Sequence, residues 1–246
     1  MSLPVHLVDA LGGTGIGDRV EVTGDEAHHA VAVRRLREGE QVVLTDGRGT
    51  SVVGVVVATG KRVFSVEVSS LSHVDRPDPV ITVVQALPKG DRGELAVEVL
   101  TEVGVDRIVP WAAARSVAVW KGERAARSHA KWQATAREAA KQSRRSWLPE
   151  VTPLASTADL PALAADADLA VVLHEDATSP LSALEVPASG RVVVVVGPEG
   201  GIAPDELDAL TAAGARSVRL GAEVLRTSTA GVAAVAALLA RTPRWS

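Results

Sequence analysis

The residues best suited to chemistry in this chain form a glycine-rich loop behind a run of valines. Residues 192–196 have the length of a buried strand, and the loop then reads Gly197, Pro198, Glu199, Gly200 and Gly201. Glycines allow a ligand to approach the backbone and its N–H groups closely. In an open α/β sheet, ligands bind beyond the carboxyl ends of the strands. The loop therefore predicts a small-molecule site, and a tight structural turn is the alternative interpretation.

The spacing of this loop argues against two common nucleotide sites. It does not read G-x-G-x-x-G, and no Gly-Lys-Ser/Thr follows it, so it matches neither the dinucleotide fingerprint nor the P-loop. Glu199 would repel a pyrophosphate. Backbone donors beside one carboxylate suit a neutral or cationic ligand that carries hydroxyls. S-adenosylmethionine, with a sulfonium, an ammonium and a ribose, has that chemistry.

Two further strand ends carry polar or glycine-containing loops. A strand predicted over 169–173 ends with the residues Leu173, His174 and Glu175. A strand predicted over 216–220 leads into a helix predicted over 227–241, and the residues of interest there are Leu220, Gly221, Val224, Leu225, Arg226 and Thr229. Because parallel strands present their carboxyl ends at one edge, we expect the three loops to converge on one pocket.

Composition and charge restrict the classes of function. The chain has 246 residues and no cysteine, which excludes disulfides, thiolate zinc sites and cysteine nucleophiles. His28 and His29 are adjacent, so on a helix they point about 100° apart, and we expect no metal site. The net charge is −4, yet residues 121–150 hold eight Lys/Arg against three Asp/Glu. Such a basic belt predicts contact with a phosphate backbone, with a solvated helix face as the alternative.

The pattern along the chain predicts two domains. Residues 1–73 read as short alternating strands with one helix over 25–37, for which Asp25 is a candidate N-cap, and this suggests a small barrel. Residues 74–246 alternate apolar strands with helices, which indicates a parallel sheet covered on both faces. No signal peptide or membrane-length apolar run is evident, so we expect a soluble, cytoplasmic protein.

Several motifs, taken in order, resemble one family. The glycine loop and residues 220–230, Leu-Gly-Ala-Glu-Val-Leu-Arg-Thr-Ser-Thr-Ala, look like the paired cofactor signature of the SPOUT superfamily. Within that superfamily the chain resembles the 16S ribosomal RNA uridine-N3 methyltransferases. The further matching segments are residues 28–39, residues 87–92 with 101–105, residues 115–117 and residues 138–149.

The resemblance implies an α/β fold with a C-terminal SPOUT domain, its parallel sheet tied in a trefoil knot, and an N-terminal PUA-like β-barrel. It also implies an obligate homodimer, S-adenosylmethionine as methyl donor and 16S ribosomal RNA of the small subunit as partner. The cofactor loops would map onto Leu173 to Glu175, Gly197 to Gly201 and Leu220 to Thr229. Val99, Ala114 and Arg144 depart from the family pattern, which puts details of RNA contact in doubt.

Candidate roles in catalysis and RNA binding follow from residue type and position. Arg226, directly before a predicted helix, could stabilise the charge that develops on the target base. The alternative is that it pairs with Glu199 or Glu223 to hold the loops. The candidate RNA-contact residues are His29, Arg34, Arg35, Lys89, Arg115, Arg144 and Arg145, and again a solvated face is the alternative. Trp120, Trp132 and Trp147 could stack on bases, although Trp132 is better explained as core.

Three alternative functions remain open at this point. A methyltransferase of the same superfamily that acts on transfer RNA or on another ribosomal base would have the same cofactor loops. A non-catalytic RNA-binding assembly factor would have a purely structural loop. A nicotinamide enzyme is disfavoured because the glycine fingerprint is missing and Glu199 lies in the loop.

Overall fold

The computed structural model describes residues 3–245, and it divides into two compact units. Among the described residues, the N-terminal unit contains residues 3–76 together with residues 141–148, and the C-terminal unit contains residues 77–140 and 149–245. The predicted domains, 1–73 and 74–246, differ from these units in two segments, since residues 74–76 and 141–148 were grouped with the C-terminal domain. In the described part of the chain no helix has the length and apolar character needed to cross a bilayer.

The N-terminal unit is built on a five-stranded sheet with the order β1-β3-β4-β5-β2. Its strands are β1 (Val5–Leu7), β2 (Arg19–Thr23), β3 (Gln41–Thr45), β4 (Thr50–Thr59) and β5 (Val63–His73). β1 pairs with β3 in parallel and the other pairs are antiparallel. Alternate side chains of β3 and β4 enter one apolar core around Phe64, as expected for strands with one buried face. The short strand β1 was not predicted.

A short helical segment crosses between β2 and β3. Helix α1 (Gly24–His28) continues directly into a π-helical turn at His29–Val33. The predicted N-cap at Asp25 is wrong, because the cap position is Thr23 and Asp25 instead pairs with Arg62 across the surface. Ala27 and Leu36 are buried in the core, as their spacing predicted.

The C-terminal unit contains a six-stranded, entirely parallel sheet with the order β11-β9-β10-β6-β7-β8. Its strands are β6 (Val80–Ala86), β7 (Arg107–Trp111), β8 (Glu150–Val151), β9 (Leu169–Leu173), β10 (Arg191–Val196) and β11 (Arg216–Val218). Its helices are α2 (Arg92–Val103), α3 (Glu123–Gln142), α4 (Leu160–Ala165), α5 (Pro204–Ala212) and α6 (Thr227–Leu239). Only the two-residue strand β8 was not predicted.

Both faces of this sheet are buried, which explains its uninterrupted valines. Along β10, residues 192, 194 and 196 join a core that includes α2, α3 and α6, whereas residues 193 and 195 join a core with α4 and α5. Gly231 lets α6 lie close to the sheet, since a Cβ there would be 3.1 Å from Leu100 Cδ2 and 3.3 Å from Val196 Cγ2. The predicted α/β class, with a parallel sheet and a separate N-terminal β unit, is confirmed. The trefoil knot stays a prediction.

Candidate active site

Three loops meet at the carboxyl edge of the parallel sheet because their strands are neighbours. Leu173 pairs in register with Val196 of β10 and with Val218 of β11, so the three strands end at one level. Beyond them lies a cavity of about 340 Å³, within the range typical of small-molecule sites. Its lining residues are Leu173, His174, Glu175, Val196, Gly197, Pro198, Glu199, Gly201, Ile202, Val218, Arg219, Leu220, Gly221, Ala222, Glu223, Val224, Leu225, Arg226, Thr227 and Ala230.

The glycine loop is too closely packed to carry larger residues. A Cβ on Gly197 would be 2.6 Å from Ile202 Cγ1, and a Cβ on Gly200 would be 3.0 Å from both Cβ and O of Arg115. Gly201 has φ +73°, in the left-handed region that glycine adopts without steric cost, and its N–H donates to the Pro198 carbonyl at 2.9 Å. The loop therefore forms a compact turn whose backbone is accessible from the cavity side.

Glu199 is held at the rim of the cavity by a neighbouring loop. Its Oε1 accepts a hydrogen bond of 3.2 Å from the backbone N–H of Lys89, which follows β6. The carboxylate is solvent-exposed. It therefore has lone pairs available for a cationic ligand or for a proton.

Arg226 stands at the N-terminus of α6 and faces the same cavity. Its backbone is extended, with φ −68° and ψ 149°, and its carbonyl accepts hydrogen bonds of 2.9 Å from the N–H groups of Thr229 and Ala230. The backbone thus initiates the helix while the side chain remains exposed. Within residues 3–245 no ion pair links Arg226 to Glu199 or Glu223, so the loop-holding alternative finds no contact in its favour.

A buried carboxylate that sequence reasoning missed supports the glycine loop from behind. Glu206 on α5 is 2% exposed, and it accepts hydrogen bonds from Ala114 N–H (2.8 Å), Thr157 Oγ1 (2.7 Å) and Ala203 N–H (3.1 Å). It thereby joins the start of α5 to the loop after β7, which carries Arg115. Arg115 Nη1 in turn donates to the Gly200 carbonyl at 3.4 Å. The only signal in the sequence was a carboxylate in the first turn after Pro204.

Comparison with known proteins assigns the family. Residues 76–239 match the RNA methyltransferase domain family, and residues 22–69 match the RNA methyltransferase PUA domain family. The ribosomal RNA small subunit methyltransferase E of Mycobacterium bovis is 47% identical over 243 residues, which covers 97% of this chain and 92% of that protein. The chain belongs to the ribosomal RNA small subunit methyltransferase E family.

Two further members support the assignment. The ribosomal RNA small subunit methyltransferase E of Bacillus subtilis is 32% identical over 225 residues, and the match covers 88% of each chain. A crystal structure of the Neisseria gonorrhoeae enzyme, bound to S-adenosylmethionine, superimposes with a TM-score of 0.85 at 28% identity and covers 97% of this chain and 98% of that one. The resemblance drawn from the sequence motifs is therefore confirmed at the level of the family.

In this chain, most of the predicted cofactor residues surround the cavity at the carboxyl edge of the sheet. Gly200 and Thr229 are the predicted residues that do not line it. Gly200 instead packs on Arg115, and the Thr229 hydroxyl donates to the Arg226 carbonyl at 3.3 Å. The lining residues that were not predicted individually are Val196, Ile202, Val218, Arg219, Ala222, Glu223, Thr227 and Ala230. All except Val218 lie directly beside a predicted residue in the sequence, and Ala222, Glu223 and Thr227 fall within the predicted span from Leu220 to Thr229.

The predicted RNA-contact residues of this chain fall in both units. His29, Arg34, Arg35, Arg144 and Arg145 belong to the N-terminal unit, and Lys89 and Arg115 belong to the C-terminal unit. All except Arg145, which is half-buried, are exposed. Arg35 and Arg144 have φ values of 57° and 55°, a left-handed conformation that non-glycine residues rarely adopt. Whether these residues contact RNA stays a prediction.

The tryptophans of the basic belt have structural roles. Trp132 is 3% exposed and packs edge-on against Trp120 with ring centroids 5.0 Å apart, which confirms its interpretation as core. Trp147 donates from Nε1 to the Val74 carbonyl at 2.8 Å. Among the described residues no cluster of three or more His, Cys, Asp or Glu side chains could hold a metal.

Proposed function

We propose that this protein uses S-adenosylmethionine to methylate N3 of a uridine in the 16S ribosomal RNA of the small subunit. Family membership supports an S-adenosylmethionine-dependent ribosomal RNA methyltransferase. The target base and nitrogen are the finer part of the proposal. The single observation that carries it is the cavity at the carboxyl edge of β9, β10 and β11, where all three predicted loops meet.

The lining of that cavity fits the chemistry of the proposed cofactor. Glu175, Glu199 and Glu223 offer carboxylates to its ammonium and sulfonium groups, and Arg219 offers a guanidinium group to its carboxylate. The closely packed glycine loop leaves its backbone open to the adenosine. Leu220 and Leu225 add apolar surface, as small-molecule sites require.

In the reaction, S-adenosylmethionine supplies an electrophilic methyl group, and the residues of the chain prepare the base to receive it. The uridine must be unpaired to expose its Watson–Crick edge. Its weakly acidic N3–H must be lost, and the resulting negative charge spreads onto O2 and O4. The Arg226 guanidinium stabilises that charge. Glu199 is the candidate proton acceptor within the cavity, with water as the alternative.

We further propose that the enzyme acts as a homodimer in the cytoplasm. On α6 the small residues Ala233, Ala236 and Ala237 are half-buried or exposed, a surface that allows close approach of another helix. Val224 in the cavity loop is 77% exposed, which is unusual for a large apolar side chain beside a ligand site. We expect a dimer in sedimentation at low micromolar concentration, and a monomer there would contradict this part of the proposal.

The substrate is tested directly with ribosomal subunits. Small subunits from a strain that lacks the enzyme are incubated with the protein and labelled S-adenosylmethionine, and the product is digested for mass spectrometry. We expect one labelled N3-methyluridine in 16S ribosomal RNA. Label on another base, or on transfer RNA instead, would contradict the proposed target while leaving the methyltransferase activity intact.

A further inference from the structure

The N-terminal unit contains a second cavity, on the outer face of its sheet. The cavity measures about 300 Å³, and its lining residues are Leu3, Val5, Val43, Thr45, Ser51, Arg144, Arg145 and Ser146. In β3, Val42 and Leu44 point into the core, so Val43 and Thr45 lie on the opposite face. Val5 pairs in register with Val43. Two valines therefore form an apolar floor on the side of the sheet that faces away from the core.

The rim of this cavity comes from residues 141–148, which are fixed to the sheet by backbone hydrogen bonds. The Ser146 carbonyl accepts from Gly49 N–H at 2.9 Å, and Leu148 N–H donates to the Gly47 carbonyl at 2.9 Å. Both glycines have positive φ. A Cβ on Gly47 would be 2.5 Å from Leu148 Cδ1, and a Cβ on Gly49 would be 2.9 Å from the Trp147 ring. The turn between β3 and β4 is thus shaped to receive this segment.

The start of the segment is also anchored. Lys141 Nζ lies 3.0 Å from Glu26, whose other contact is His6 Nδ1 at 3.1 Å. The Lys141 and Glu26 side chains are only 13% and 18% exposed. Residues 144–146 therefore lie between two anchored positions, Lys141 at Glu26 and the hydrogen bonds to Gly47 and Gly49. These anchors fix the position of the segment over the sheet.

The cavity combines three kinds of surface. The floor is apolar, Ser51 and Ser146 line it with Thr45, whose hydroxyl already bonds to the Thr50 carbonyl and to Gly47 N–H, and Arg144 and Arg145 supply positive charge. None of the eight described lining residues is acidic. Arg144 adopts φ 55°, a strained conformation of the kind found at functional sites. A flat apolar group bearing an anion and hydroxyls matches this combination.

We propose that this cavity binds an unpaired nucleotide of the RNA substrate, distinct from the nucleotide that is methylated. The base lies on Val5 and Val43, and the phosphate pairs with Arg144. Hydroxyl side chains contact the ribose or the base edge. This inference rests on the proposed function, because it takes ribosomal RNA as the ligand.

The experiment distinguishes the contribution of the valine floor to RNA affinity from that of the Arg144 charge. Binding of a fluorescent single-stranded oligonucleotide from 16S ribosomal RNA is measured by anisotropy at several salt concentrations, with the full chain. Val43→Gln removes half of the apolar floor without adding charge, so we expect affinity to fall about tenfold, as for the loss of one partly buried aliphatic side chain, with an unchanged salt slope. Arg144→Gly removes one phosphate contact, so affinity should fall and the slope should decrease by about 0.7.

Val55→Gln is the matched control. Val55 lies on β4 opposite Gln41, on the same face of the sheet as Val43. It is half-buried and does not line the cavity. We expect this variant to bind like the wild type. Arg144→Gly should also be at least as thermostable as the wild type, because glycine adopts positive φ without steric cost. A loss of RNA binding in that variant would then not reflect unfolding.

Two outcomes would overturn the inference. If Val43→Gln binds the oligonucleotide with the same affinity as Val55→Gln, no base lies on the valine floor. If uridine monophosphate displaces the oligonucleotide at comparable concentration, the cavity is a site for free nucleotides. Binding of S-adenosylhomocysteine by each variant is measured in parallel. If the variants bind the cofactor and their RNA affinity is unchanged, the nucleotide-binding role of the cavity is rejected and the proposed function is not. If the wild type does not bind S-adenosylhomocysteine, the proposed function is rejected.

Discussion

At the scale of single residues, Arg226 is the side chain whose role is most sharply testable. Its backbone begins α6 and its side chain is exposed at the cavity. If its guanidinium stabilises charge on the base, its removal should affect the transition state more than the bound cofactor. We expect Arg226→Ala to lower kcat by about 100-fold or more and to change the Kd for S-adenosylhomocysteine by less than about fivefold.

Arg219→Ala is the control for this substitution, because Arg219 lines the same cavity but lies at the end of β11. We expect a smaller loss of kcat there. Equal losses of turnover and of cofactor affinity in Arg226→Ala would support a structural role for Arg226 and reject the catalytic one.

Glu26 makes the stability of the N-terminal unit depend on pH. Burial raises the pKa of this carboxyl, but hydrogen bonds from His6 and Lys141 and their charges outweigh it and hold the pKa at about 2, below its ordinary 4.5. A lowered pKa contributes stability above pH 4.5 that is lost as pH falls towards 2. Because Glu26 is partly solvated, we expect Glu26→Gln to cost about 1–2 kcal/mol at pH 7.

This cost should disappear as the pH approaches 2. The measurement is urea unfolding of wild type and variant at pH 7, 4.5 and 3, followed by circular dichroism with all tryptophans retained. If the difference in the free energy of unfolding between wild type and Glu26→Gln stays constant across this range, the Glu26 charge does not help to hold residues 141–148.

At the scale of elements, Glu206 joins α5 to two distant loops. Removing its carboxylate leaves three donors without their acceptor: Ala203 N–H in a buried position, and Ala114 N–H and the Thr157 hydroxyl in partly buried ones. We expect Glu206→Ala to destabilise the C-terminal unit by about 3 kcal/mol and Glu206→Gln by less, since the amide retains one acceptor. Because the glycine loop precedes α5, the KM for S-adenosylmethionine should rise in Glu206→Ala.

Thr157→Val removes one of these hydrogen bonds, together with the one that Trp111 Nε1 donates to the Thr157 hydroxyl at 3.2 Å, and serves as the comparison. Thermal unfolding and KM are measured for all three variants. If Glu206→Ala is no less stable than Thr157→Val, then the carboxylate does not connect these elements. If stability falls while the KM is unchanged, the glycine loop holds its shape without Glu206.

The elements themselves were largely predictable because their signals are local. The valines of β10, the alternation in β3 and β4 and Pro204 in the first turn of α5 depend on residues a few positions apart. Glu206 was missed because its partners lie 92, 49 and 3 residues away. The packing of residues 141–148 was missed for the same reason, since its contacts with Glu26 and Gly49 come from folding and leave no periodic pattern.

At the scale of the whole molecule, residue patterns and family resemblance contributed different things. Strand ends with glycine and carboxylate residues predicted that three loops would share one cavity, and they do. The ribosomal RNA target, the knot and the homodimer followed from resemblance alone, because neither charge nor periodicity specifies them. A net charge of −4 would even have argued against RNA, had its distribution along the chain been ignored.

The central claim is that the loops after β9, β10 and β11 form a cofactor site, and calorimetry with S-adenosylhomocysteine tests it most directly. We predict heat on titration with one molecule bound per chain, a rise in melting temperature with ligand concentration, and loss of both on replacing Gly197 by valine, whose side chain would clash with Ile202. If the wild-type protein shows no heat and no thermal shift with S-adenosylhomocysteine, the claim is contradicted.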